Sequence, residues 1–120
     1  MDIVYIAAPF NKLTPTKQYL SVKQATEAAA IIYSKGLFAF SPLTHSYPIW
    51  KLNNKITPHT WMGLDLQILP LCSHLLVLML PGWEESIGIK LEREVAFKLN
   101  LKIRYFASLQ SIQNFEFTKE

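Results

Sequence analysis

Cysteine is almost missing from this sequence. Cys72 stands alone, so no internal disulfide can form, and there is neither a CxxC pair nor an HExxH motif to signal a metal site. A solitary cysteine in an apolar stretch reads as a small buried side chain. Glycine is scarce too, with four in the chain, and no Pro/Gly-rich linker, repeat or low-complexity tract interrupts it. Half of the residues are apolar, which disfavours disorder everywhere except in the last few residues. No apolar run is long enough for a membrane span: the longest, "LLVLMLPGW", falls well short, and "MDIVYIAAP" lacks the basic region of a signal peptide. A cytoplasmic protein is expected. There is also no basic block. Twelve Lys and Arg residues are scattered over the chain for a net charge of +3, which weakly favours an anionic ligand but disfavours nucleic acid, whose readers carry a basic stripe with interleaved aromatics.

What is present is the pattern of one α/β domain spanning residues 1–120. "DIVYIAAPF" is a continuous apolar run suited to a strand buried on both faces, as in parallel sheets. From about Pro15 to Lys35 the apolar residues recur at helical spacing, and Gly36 ends the helix. "LFAFSP" is a second strand. The segment "LTHSYPIWKLNNKI", rich in proline and asparagine, is expected to be a long loop. Thr57 and Pro58 start a helix running to about Pro70, "HLLVLML" is a third strand, Ser86 caps the next helix, and "LKIRYF" is a fourth strand. Ser108 begins a short final helix. Alternating strands and helices of this kind build an open, mostly parallel sheet of four to five strands with helices on both faces. Ligands in such folds sit beyond the carboxyl ends of the strands, here "AAPFNK", "SPLTHSYPIW" and "PGWEES".

Two carboxylates occupy unexpected positions. In the helix after Ser86, Leu91, Val95, Leu99, Ala96 and Ile89 form an apolar arc, and Glu92 falls within it, whereas Glu94 lies outside beside Lys90 and Lys98. In the helix after Thr57, Asp65 lies in the arc of Trp61, Leu64, Met62, Ile68, Leu69 and Leu66. An unpaired buried charge is so costly that such a group is either paired structurally or kept for function. Glu92 is in the second turn, near the strand ends, where a carboxylate can reach a ligand crevice. The free N–H groups around Ser86 and Gly88 favour an anion there. Together these features suggest a nucleotide ligand. Trp50 and Trp83 can stack on a base or simply pack; Glu84 and Glu85 are solvated rim residues.

"SIGIKLEREVAFKLN", with Asp65 in "WMGLDLQILPLC" and the opening "VYIAAPF", resembles the nucleoside 2-deoxyribosyltransferase superfamily, which includes the 2'-deoxynucleoside 5'-phosphate N-hydrolases. "FSPLTHSYPIW" and "LPGWEESIG" are similar to its short bacterial and phage members of unassigned function. The resemblance covers nearly the whole chain and implies a Rossmann/flavodoxin-like fold. It places Ser86, Gly88, Glu92, Ala96 and Asn100 on the family pattern, and implies Glu92 as catalytic, Tyr5 as the residue orienting it, and Asp65 as a proton donor near the base or sugar. It further implies substrate contacts from Ser86 and Gly88 and from Ala8, Pro9, Asn11 and Lys12 of the first loop, with His45, Trp50 and Trp83 around the ligand. Ser at position 86, where relatives acting on free nucleosides tend to carry Asp, leans towards a 5'-phosphorylated substrate. The first loop departs from relatives that carry an arginine there, leaving Asn11 and Lys12 as substitutes.

The implied reaction is cleavage or transfer at an N-glycosidic bond, with no cofactor and no metal. Family members complete their sites across a dimer, so a homodimer or larger assembly is expected, with Phe97, on the outer side of its helix, as a candidate interface residue. Two other readings stand beside this one. One is a catalytically silent nucleotide-binding module; the other is an enzyme of different chemistry using His45 as general base.

Overall fold

The computed structural model describes residues 2–117; the last few residues, expected to be loose, lie outside them. Strand β1 (Ile3–Ala7) leads into helix α1 (Pro15–Ser34), β2 (Phe38–Phe40), α2 (Pro42–Leu52) and α3 (Pro58–Ile68). A 3-10 turn (Leu69–Leu71), β3 (His74–Leu78), α4 (Ile87–Lys98), β4 (Lys102–Phe106) and α5 (Leu109–Asn114) complete the chain. The four strands are all parallel in the order β2-β1-β3-β4. This is the α/β architecture expected from the alternation of elements.

Side chains alternate across β1 and β3 with the period of two that a pleated strand imposes. Val4, Ile6, Leu76 and Leu78 face a core closed by Ala25, Ala28 and Ile32 of α1, Ile112 of α5, and Phe106 and Phe117. Tyr5, Ala7, Leu75 and Val77 face the opposite core, closed by Leu69, Cys72, Ile89 and Ala96. Helices therefore cover both faces.

Every helix start carries a side-chain cap. Thr14, Ser41, Thr57, Ser86 and Ser108 each accept from the backbone N–H three residues on, and proline follows directly in the first three cases. Gly36 has φ +82° just after α1, and Asn100 takes the left-handed conformation at φ 59° just after α4.

Two expectations from the sequence are corrected. The segment expected to be a long loop is largely helical: α2 occupies Pro42–Leu52 with Pro48 inside it. Pro48 lies on the exposed side of that helix, and the hydroxyls of Ser41, Thr44 and Thr26 tie its first turn to α1 with contacts of 2.7 Å. The polar cap and these ties offset the backbone hydrogen bond that proline cannot make. The second correction is to α4. Its buried face is Ile89, Glu92 and Ala96, so Leu91 and Leu99, assigned to the core side by helical phase, are exposed.

Candidate functional site

The parallel strand order diverges between β1 and β3, since β1 connects outward to β2 while β3 connects to β4 on the other side. A crevice opens at such a switch point beyond the strand ends. Here it is a cavity of about 330 Å³. Its walls are the end of β1 with the first loop (Ala7, Ala8, Phe10, Asn11, Lys12), the inner face of α2 (Leu43, Ser46, Tyr47, Trp50), the α2–α3 connection with α3 (Lys55, Thr57, Trp61, Met62, Asp65), and the start of α4 (Ser86, Gly88, Ile89, Glu92).

Glu92 and Asp65 come from different helices and meet this one cavity, each almost fully buried at 5% and 6% exposure. The Tyr5 hydroxyl, on the buried face of β1, donates a short hydrogen bond to Glu92 Oε2. Asp65 has no such companion: its Oδ1 is buried without a hydrogen-bond partner. An unsatisfied buried acceptor is costly, and at a cavity wall it is a group that a water or a ligand can satisfy.

Burial dominates the proton affinities. It pushes Glu92 up to about 8, with the Tyr5 hydrogen bond pulling the other way and the Asp65 charge adding to the rise. Burial alone lifts Asp65 to about 6. Tyr5 is raised far above the ordinary phenol range by burial and then by the charges of Glu92 and Asp65, so it remains a hydrogen-bond donor at any working pH. Between about pH 6 and 8 the two carboxyls together retain one proton. Burial also pushes the Cys72 thiol up to about 11, leaving it neutral and unreactive.

Around this pair, the Ser86 hydroxyl oxygen accepts from Ile89 N–H at 3.2 Å, which leaves its own hydrogen free to donate. Gly88 lies close to the neighbouring helix: a Cβ there would meet Met62 Cε at 3.1 Å, and the methionine end would have to shift by a few tenths of an ångström. Lys12 adopts a left-handed backbone at φ 71° on the rim. Phe10 meets Tyr47 and Trp50 edge to face, giving the cavity an aromatic wall.

The expected site residues are thus mostly gathered in one place. Glu92, Asp65, Ser86, Gly88, Ala8, Asn11, Lys12 and Trp50 line the cavity, and Tyr5 lies behind it on Glu92. Pro9, His45 and Trp83 do not line it. Pro9 is buried with its carbonyl accepting from Ser21, His45 is exposed beside Phe40, and Trp83 packs on Tyr105 under the Arg93 guanidinium. Sequence reasoning missed Tyr47, Ser46, Lys55 and Trp61 as wall residues. The signal for the first two was available: Leu43, Ser46, Tyr47 and Trp50 are spaced i, i+3, i+4, i+7, the stripe of an amphipathic helix.

Among the described residues no group of three or more His, Cys, Asp or Glu is placed to hold a metal ion. None of the described helices is long and apolar enough to cross a membrane.

The fold is that of the nucleoside deoxyribosyltransferases. The chain superposes on the solved structure of a 2-deoxyribosyltransferase from the psychrotolerant bacterium Bacillus psychrosaccharolyticus with a TM-score of 0.68 at 15% identity, covering 98% of this chain and 94% of that one. A de novo designed Rossmann fold protein matches at a TM-score of 0.43 and 16% identity, over 94% of this chain and 91% of the design. No curated protein matches in sequence. The family described as "Domain of unknown function (DUF1937)" matches residues 2–107, and the chain belongs to that family.

Proposed function

We propose that this protein cleaves or transfers at the N-glycosidic bond of a nucleoside or nucleoside 5'-monophosphate, with Glu92 as nucleophile. The observation that carries the reading is the pairing of Glu92, held by the Tyr5 hydroxyl, with the unpartnered Asp65 in one cavity beyond the strand ends. The likeness in fold to a deoxyribosyltransferase supports the same reading.

In the reactive state one proton is shared unequally: Glu92 is ionised and Asp65 carries the proton. Glu92 forms a bond to C1' of the sugar as the bond from C1' to the base nitrogen breaks, and Asp65 gives its proton to the departing base. Tyr5 steers the attacking oxygen and stays protonated throughout. Asp65, now ionised, takes a proton from the incoming water or acceptor base, which attacks C1' and releases Glu92. The aromatic wall of Phe10, Tyr47 and Trp50 offers faces for the base, while Lys12 and the start of α4 suit a 5'-phosphate.

One observation favours a second reading, a silent nucleotide-binding module. Burial holds the proton on Glu92 at neutral pH, so attack requires the bound substrate to move that proton to Asp65. Base release decides between them. A panel of ribo- and deoxynucleosides and their 5'-monophosphates is followed by chromatography with wild type and Glu92→Gln. The expected result is release by wild type, lost in Glu92→Gln while ligand binding persists. Binding without release from any member would establish the silent module.

A further inference from the structure

Two acids and two amines line the cavity: Asp65 and Glu92 inside, Lys12 and Lys55 on its rim. At neutral pH the acids hold one proton between them, and neither lysine has an acid in ion-pair reach among the described residues. The wall therefore carries an excess of positive charge. Lys12 belongs to the first loop, whereas Lys55 stands in the short connection 53–57 that joins α2 to α3. That connection is an Asx turn: Asn53 Oδ1 accepts from the Lys55 N–H at 3.3 Å, and the Asn53 carbonyl accepts from the Ile56 N–H at 3.3 Å. The root of the Lys55 side chain is held in place.

The proposed function fixes where a base lies, and the inference rests on that reading. The flat face of the base meets the aromatic wall of α2, and its glycosidic nitrogen faces C1' beside Glu92, within reach of Asp65 on α3. Both carboxyls are deeply buried, so the opposite edge of the base points outward between α2 and α3, where the connection closes the cavity. That edge holds the 4-position of a pyrimidine or the 6-position of a purine. Lys55 is exposed on the same rim, and its ammonium offers three donors and no acceptor. An exocyclic oxygen accepts from it; an exocyclic amino group, itself a donor, does not. We propose that Lys55 selects the base, so that the cavity takes nucleotides of oxo bases in preference to their amino counterparts. The same contact aids departure. As the bond from C1' to the base nitrogen breaks, its electron pair spreads through the ring towards that oxygen, and the ammonium stabilises this charge until the Asp65 proton neutralises it. Lys12 takes no part in the choice, because the 5'-phosphate that it suits is common to every nucleotide.

The test is calorimetric titration of the deoxynucleoside 5'-monophosphates of uracil, cytosine, hypoxanthine and adenine into the full chain carrying Glu92→Gln, so that no ligand is consumed. The uracil nucleotide is expected to bind about tenfold more tightly than the cytosine one, and the hypoxanthine nucleotide likewise over the adenine one. Adding Lys55→Met should bring each pair to within about twofold, chiefly by weakening the oxo member, and Lys55→Arg should restore the preference. Adding Lys12→Met should weaken all of them alike and keep the ratios. Equal binding within each pair while Lys55 is present overturns the proposal. So does a preference that survives Lys55→Met, or a loss in Lys55→Met spread evenly over every ligand, which would make Lys55 a phosphate contact. Binding without preference removes only the choice of base, whereas no binding by any of these nucleotides removes the nucleotide reading and this proposal with it.

Discussion

Against one face of the sheet, α1 and α5 close over Val4, Ile6, Leu76 and Leu78 with alanine, isoleucine and phenylalanine. Among the described residues that face buries no carboxylate. Against the other, α3 and α4 press Asp65 and Glu92 into surroundings that are otherwise Leu69, Leu75, Val77 and Ile89. The same strands serve both faces, since alternate residues point to opposite sides. The difference lies in what the helices present and in Tyr5, which β1 turns towards Glu92. One face buries chiefly apolar groups, with Ser21 and His74 as its polar members; the other holds two carboxyls with raised proton affinity, a feature enriched at functional sites.

The sharpest way to break this asymmetry is Glu92→Gln. Base release should fall by about a thousandfold or more, because an amide cannot form the covalent intermediate of the proposed reaction. The fold should gain from the same change. Folding moves the proton affinity of Glu92 from an ordinary 4.5 to about 8, so ionising it in place costs on the order of 5 kcal/mol. The folded state holds this proton more tightly than the unfolded chain does. Wild-type stability is therefore fully retained below pH 4.5 and falls as the pH rises through 8. Denaturant titrations at pH 5 and pH 8 should show Glu92→Gln overtaking wild type, by about 3 kcal/mol more at the higher pH. A constant difference across that range would mean that Glu92 ionises freely in the folded protein.

The quiet face answers in the opposite way. Ile112→Ala, in a helix that follows the family-matched segment yet is fully buried, should cost about 2–5 kcal/mol while leaving turnover per folded molecule unchanged. Thermal unfolding alongside base release checks both halves of that statement.

The asymmetry was partly visible before any coordinates. Asp65 and Glu92 stand out because helical phase alone places them among apolar residues, and a carboxylate in that position needs a reason. Phase is a coarser guide to the rest of α4. Leu91 and Leu99 fall within the same arc, and whether an aliphatic residue at its edge meets the sheet or the solvent depends on how the helix is rolled on its neighbours, which periodicity does not encode. Gly36 was legible as a helix end because few residues accept a left-handed backbone. Helix α2 was missed because Pro48 and the surrounding polar residues outweighed the stripe of Leu43, Tyr47 and Trp50. The placements of Pro9 and Trp83 away from the cavity rest on which way neighbouring loop residues turn, for which the chain carries no periodic signal, whereas His45 falls off the stripe of α2 and turns away once that helix is recognised.

The pH dependence of kcat/KM sharpens the comparison further. In the proposed reaction the productive form holds one proton between two carboxyls, so activity should rise as pH increases through about 6, where the pair loses its first proton, and fall through about 8, where it loses the last. Outside those limits each pH unit changes the rate about tenfold. The measurement is a bell-shaped profile on the substrate found in the panel. An activity that keeps rising above pH 8 would show that the shared proton takes no part.

The smallest effect expected is the coupling between the two carboxyls themselves. The charge on Asp65 is one of the causes that raise Glu92, ranked after burial and after the opposing hydrogen bond from Tyr5. Replacing Asp65 by Asn removes that charge while keeping a polar group of the same shape. Glu92 should then release its proton at a lower pH than in wild type, while burial still holds it above the ordinary carboxyl range. Carbon NMR of labelled glutamate follows this titration directly, without requiring turnover, which the lost acid would also reduce. A downward movement confirms that the two groups share one electrostatic site. An unmoved titration would mean that each carboxyl is set by its own burial, and that the cavity joins them only when a ligand bridges the space between.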